Sequence, residues 1–86
     1  MTPAETRALL ARLLRGVAPE VGLDAVDPAA PLQEEADLDS MDFLNLMTAL
    51  YDATGIEVPE RDYPLVGTID GFVSYVSSAR QPGSTS

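Results

Sequence analysis

The sequence contains no cysteine, no histidine and no lysine. Without cysteine, a disulfide, a thiol nucleophile and a cysteine-based zinc site are all excluded. Without histidine, the chain lacks the usual general base and the commonest metal ligand. Without lysine, it can form neither a Schiff base nor the lysine contact of a P-loop. We therefore expect the chain not to be an enzyme by itself.

Basic residues are few, and long apolar runs are missing. Fourteen acidic residues stand against five arginines, which gives a formal net charge of -9. Nucleic acids and anionic membranes bind basic surfaces, so we expect neither as a partner and expect proteins with basic docking surfaces instead. No apolar run approaches the ~18 residues of a membrane span, and residues 1–5 lack the order of a signal peptide. We predict a cytoplasmic monomer without a membrane span.

Apolar side chains recur at three- and four-residue spacing in three stretches, which predicts three main helices. The first helix is expected over about residues 3–16, with Thr2 before it as the cap. The second is expected over about residues 40–53, with Asp39 as its N-cap. The third follows Thr68, which is again a capping residue. A hydrophobic content of 45% is enough to give these helices a common core.

The segments between the predicted helices show less periodicity in their apolar residues. Residues 17–38 contain three prolines and no sustained period, so they are predicted to form a long first loop. Four apolar residues are expected to hold this loop to the core: Val21, Leu23, Val26 and Leu32. Residues 60–65 are predicted to form one short helical turn, limited by Pro64. The expected fold is all-α, a small four-helix bundle of three main helices and one short helix.

Ser40 begins the second predicted helix, one residue after Asp39 and two before Asp42. A helix start leaves backbone N–H groups unpaired and carries partial positive charge, so it can hold a phosphate. With Asp39 as the cap, the Ser40 hydroxyl should face solvent in the first turn. Such a serine, in a chain without other reactive groups, is a candidate point of attachment. Asp37, Asp39 and Asp42 lack the glycine and glutamate of a calcium loop, so no metal site is predicted.

The second predicted helix has a core face and an outer face. The expected core residues are Phe43, Leu46 and Leu50. The residues expected to contact a partner or a cargo are Met41, Leu44 and Met47, and Met47 fits the core equally well. The carboxylates expected to dock basic partners are Asp37, Asp42 and Asp52.

The segment Asp39-Ser40-Met41, followed by a helix, resembles the prosthetic-group site of acyl carrier proteins, which reads Asp-Ser-Leu/Met. The stretch Gly55-Ile56-Glu57-Val58-Pro59 is similar to the Gly-Ile-x-Ile/Val-Pro element that follows the second helix in that family. The long first loop and the last helix are also similar. The resemblance covers about residues 3–78 and implies an acyl-carrier-type domain over residues 1–80. The Pro/Gly/Ser-rich residues 81–86 are expected to be a disordered tail.

This resemblance implies that Ser40 accepts a 4′-phosphopantetheine arm from coenzyme A, transferred by a separate phosphopantetheinyl transferase. Asp39 would then serve the attachment site as well as the helix. The thiol of the arm would carry acyl groups as thioesters to the enzymes that load and unload them. The reactive sulfur would belong to the cofactor, which explains how a chain without cysteine takes part in acyl chemistry. The expected function is that of a stand-alone acyl carrier protein.

Three positions depart from the pattern of the similar carriers. Many carriers have glycine where this chain has Asp37, an acidic residue where it has Asn45, and a hydrophobic residue where it has Thr48. These changes suggest a specialised carrier and leave its partner enzymes open. Two alternatives also remain open at this point. One is a peptidyl or aminoacyl carrier, and the other is an acidic helical adaptor that is never modified.

Overall fold

The computed structural model describes residues 2–79. Its elements in chain order are α1 (Pro3–Val17), a 3₁₀ segment (Leu23–Ala25), α2 (Leu32–Glu35), α3 (Ser40–Thr54), a 3₁₀ helix (Glu60–Val66) and α4 (Ile69–Ser78). No strand occurs among the described residues. The prediction of an all-α bundle with three main helices, one short helix and a long first loop is confirmed. The predicted limit at residue 80 and the tail 81–86 lie outside the described residues.

A capping box starts α1 at the predicted place. The Thr2 hydroxyl accepts a hydrogen bond from the Glu5 backbone N–H at 3.1 Å, and the Glu5 carboxylate accepts one from the Thr2 N–H at 2.9 Å. The bond from the Thr2 backbone is the main cause that lowers the pKa of the Glu5 carboxyl. The helix ends at Val17, one residue beyond the predicted end.

The core lies between α1, α3 and α4. Helix α1 packs against both of the other long helices, and α4 packs against the 3₁₀ helix 60–66. The largest side chains that are completely buried include Leu10, Leu14, Leu46, Leu50 and Phe72. Each such side chain stabilises the fold by about 1.5–3 kcal/mol relative to an exposed position. Within residues 2–79, no helix combines the length and the apolar character needed to cross a bilayer.

The first loop holds more structure than the sequence predicted. It contains the 3₁₀ segment 23–25 and the four-residue helix α2, which are too short to produce a detectable period. Three of the four predicted anchors are buried, whereas Val21 is half-buried. The loop is also tied to the start of α4, because Leu32 N–H donates to the Gly67 carbonyl at 2.7 Å and Asp70 N–H donates to the Pro28 carbonyl at 3.0 Å.

A left-handed residue ends α2 and directs the chain toward α3. Leu38 N–H donates to the Gln33 carbonyl at 2.8 Å and Asp37 N–H donates to the Glu34 carbonyl at 3.4 Å, which is the bonding pattern of a Schellman motif. Asp37 has a φ of 53° at the left-handed position of this motif. This conformation favours glycine, which gives a physical reason for the glycine that similar carriers have here.

The 3₁₀ helix 60–66 confirms the short helical turn, although Pro64 lies inside it and the helix continues to Val66. Two side-chain contacts hold it against the bundle. The Tyr75 hydroxyl donates to the Asp62 carboxylate at 2.8 Å, and this bond raises the pKa of the Tyr75 phenol. The rings of Tyr63 and Phe43 meet edge to face with centroids 5.3 Å apart, which fixes the helix against α3.

Glycine substitutions provide a test of the packing between α4 and the 3₁₀ helix. A methyl group at Gly71 would collide with the Leu65 carbonyl oxygen, a backbone atom, whereas space is open around Gly16 in α1. We expect Gly71→Ala to lower the free energy of unfolding by about 1–3 kcal/mol. Gly16→Ala should raise it by about 0.5 kcal/mol through helix propensity. Urea unfolding of both variants measures this, and a Gly71→Ala protein as stable as the parent would contradict the packing.

Substitutions at Asp37 test the left-handed turn. Asp37→Gly should raise the free energy of unfolding by about 0.5–1 kcal/mol, because glycine adopts this conformation without strain. Asp37→Ala should lower it by a similar amount. Asp37→Asn is the control for the lost charge, since asparagine tolerates the same conformation. If the alanine and glycine variants unfold at the same urea concentration, the turn does not have the geometry described here.

Candidate functional site

Ser40 is the first residue of α3, and it is exposed. The residues on either side of it form a capping box. The Asp39 carboxylate accepts a hydrogen bond from Asp42 N–H at 2.8 Å, and the Asp42 carboxylate accepts one from Asp39 N–H at 3.4 Å. The predicted N-cap role of Asp39 is therefore confirmed. The Ser40 hydroxyl makes no hydrogen bond to any other residue within 2–79, so it is accessible from solvent and free of internal partners there.

Two buried side chains hold the start of α3 in place around Ser40. Leu38 precedes the cap and Phe43 follows one turn later, and both belong to the hydrophobic core. The backbone is also fixed, because Phe43 N–H donates to the Asp39 carbonyl at 3.0 Å. Ser40 is thus exposed on a segment whose two ends are packed into the core.

The charges around Ser40 act in opposite directions on an anion. The start of α3 attracts a phosphate by about 0.3–1 kcal/mol. Asp37, Asp39 and Asp42 lie at least partly in solvent within the same six residues and repel it by a comparable amount. This site therefore has no strong affinity for a free phosphate, and a phosphate group would need a covalent bond to stay. Within residues 2–79, no cluster of three potential ligands is placed to hold a metal ion.

The outer face of α3 exposes several large side chains. Met41 is 66% exposed, Leu44 is 44% exposed and Tyr51 is 53% exposed. Met47 is only 7% exposed and belongs to the core. Of the two roles expected for it, the structure therefore favours core packing. Asp52 is exposed near the end of the helix. Tyr51 was not predicted, although its seven-residue spacing from Leu44 places it on the same face.

Two clefts lie along α3, and we name them the first cleft and the second cleft. The first cleft, of about 370 Å³, opens beside Ser40 and is lined by Gln33, Phe43, Leu44, Glu60 and Tyr63, among others. The second cleft, of about 300 Å³, is lined by Leu44, Met47, Thr48, Tyr51, Glu57, Val58 and Tyr63. Leu44 and Tyr63 line both clefts, so the two clefts are neighbours. The sequence predicted neither cleft, because both depend on how the 3₁₀ helix 60–66 packs against α3.

Comparison with known proteins identifies the family of this chain. Residues 8–76 match the family described as phosphopantetheine attachment site, and this range contains the start of α3. An acyl carrier protein of Rubrobacter xylanophilus is 30% identical over 70 residues, which cover 79% of this chain and 86% of the relative.

The geometry of the helix start fits the group that this family carries. An exposed serine hydroxyl free of internal hydrogen bonds can form a phosphodiester, and the acidic surroundings would not retain the group otherwise. Family membership implies a covalently bound 4′-phosphopantetheine and a carrier role in place of a catalytic one. The chain belongs to the acyl carrier protein family.

Proposed function

We propose that Ser40 is the attachment residue and that the chain acts as an acyl carrier protein. The observation that carries the proposal is the exposed Ser40 hydroxyl at the capped start of α3. The other serines in the described part of the chain, Ser74, Ser77 and Ser78, all lie in α4, away from any helix start. Ser40 is therefore the described serine best placed for a modifying enzyme.

In this proposal, a phosphopantetheinyl transferase joins the Ser40 Oγ to the phosphorus that bears the pantetheine of coenzyme A. Adenosine bisphosphate leaves, and the hydroxyl proton passes to the transferase. The arm then supplies the thiol that holds acyl groups as thioesters. The role of the chain is to present the serine, keep it outside the core and carry the arm between enzymes. We place this exchange in the cytoplasm, with the protein acting as a monomer.

The partner surface in this proposal is the outer face of α3 together with the turn before it. Met41 and Leu44 supply exposed apolar contacts, and Asp37, Asp42 and Asp52 supply negative charge. A net charge of -9 steers such a carrier toward enzymes with basic docking surfaces. The Asp37-Leu38-Asp39-Ser40 sequence favours this acyl class over peptidyl carriers, which usually have two glycines before the histidine or aspartate.

Attachment at Ser40 can be tested by intact-mass measurement after incubation with coenzyme A and a broadly specific transferase. The wild-type chain should gain the mass of one arm, and Ser40→Ala should gain none. Ser74→Ala, a second exposed serine, is the matched control and should gain the arm as the wild type does. A wild-type chain that stays unmodified, with a transferase active on another carrier, contradicts the proposal and favours the unmodified adaptor.

The docking surface can be tested by charge reversal. Asp52→Lys should slow association with the transferase about two- to five-fold at low salt and should flatten the salt dependence of the rate. Glu20→Lys changes the net charge equally at an exposed position before α2, and it should have a smaller effect. Stopped-flow association rates across a salt series measure both. Asp42→Lys is expected to slow association too, but it also removes a partner from the capping box.

A further inference from the structure

The second cleft has a mixed lining that is unusual for a site that would take a plain hydrocarbon chain. Its apolar side chains are Leu44, Met47 and Val58. Its other lining residues are Thr48, Tyr51, Glu57 and Tyr63, whose side chains carry three hydroxyl groups and one carboxylate. Thr48 stands where similar carriers have a hydrophobic residue, so part of this polarity is a property of this chain.

The second cleft lies within reach of an arm on Ser40. Thr48 follows Ser40 by eight residues, which is about 12 Å along the axis of α3. An extended phosphopantetheine arm is longer than this distance. Leu44, midway between them, lines the first cleft beside Ser40 and also the second cleft. An arm that passes through the first cleft can therefore place its thiol, and any cargo on it, at the second cleft.

The size and charge of the second cleft limit the cargo. A volume of about 300 Å³ lies at the lower end of the range for ligand-binding pockets, so the cleft matches a small cargo. An alkyl group would cover the Thr48 hydroxyl and the Glu57 carboxylate without offering them a hydrogen bond. A carboxylate on the cargo would meet Glu57 and the negative charge of the whole chain. A donor group avoids both penalties.

We propose that the second cleft is a cargo site for a short acyl group that carries an amino or hydroxyl substituent. The substituent donates to the Glu57 carboxylate, and the carbon skeleton contacts Leu44, Met47 and Val58. Thr48 contributes a second hydrogen-bonding group. The inference rests on the proposed function, because it requires the arm on Ser40.

The test uses protein whose arm has been confirmed by mass and compares cargoes of matched size. Amide-linked pentanoyl, γ-hydroxybutyryl and γ-aminobutyryl groups differ only in their last non-hydrogen atom, and a succinyl group adds a negative charge. Nuclear Overhauser effects from the cargo to the Leu44 and Val58 methyl groups report how often each cargo occupies the second cleft. The occupancy of the second cleft should be about five-fold higher for the aminobutyryl cargo than for pentanoyl, because one exposed charge-assisted hydrogen bond gives an effect of this size.

Variants of the cleft assign the preference to particular side chains. Glu57→Gln should reduce the occupancy of the aminobutyryl cargo to nearly that of pentanoyl, and Glu20→Gln, far along the chain, should leave it unchanged. Thr48→Val keeps the shape of the side chain and should raise the occupancy of pentanoyl. Equal or greater occupancy by pentanoyl or succinyl in the wild type overturns the inference, as does cargo that never contacts the second cleft. A chain that accepts no arm contradicts the proposed function instead.

Discussion

The turn between α2 and α3 is the constraint on which the site depends. Asp37 takes a left-handed conformation, Leu38 turns into the core, and Asp39 closes the first turn of α3 through its bond to Asp42 N–H. Each of these three features restricts the path of the backbone at the next residue. Ser40 is consequently exposed at the helix start, although the buried Leu38 lies only two residues before it in the chain. A serine on a free loop would have the same hydroxyl without a defined position.

The packing of α3 against the 3₁₀ helix 60–66 determines where the clefts form. Phe43 lies one turn after Ser40, and its burial brings its ring against Tyr63 of the 3₁₀ helix 60–66. Asp62, the residue before Tyr63, is held by the Tyr75 hydroxyl of α4. Contacts from α3 and α4 therefore hold Tyr63, which lines both clefts, against the core. A change in the position of Tyr63 would alter the first and second clefts together, because its side chain lines both.

The sequence predicted those features that depend on local chemistry. Caps such as Thr2 and Asp39 act within three residues, so their side chains alone locate the starts of α1 and α3. Helix α2 was not predicted because four residues are too few to show a period. The burial of Met47 and the two clefts depend on packing between distant segments, which no local pattern contains. The departure from glycine at Asp37 was visible in the sequence, but its left-handed conformation was not.

With a covalent bond, retention of the arm does not depend on the surface charges by which partner enzymes recognise the protein. A site that bound a phosphate by affinity would need basic side chains around it, and those would repel the basic enzymes expected as partners. At Ser40, the phosphate would instead be retained by a bond, so the carboxylates of Asp37, Asp39 and Asp42 can stay at the site. Asp52 adds a further exposed carboxylate near the end of α3, and the uncharged side chains of Leu44 and Tyr51 are exposed between it and Ser40. A partner with a basic surface would be attracted by the same carboxylates that offset the attraction of the helix start for free phosphate.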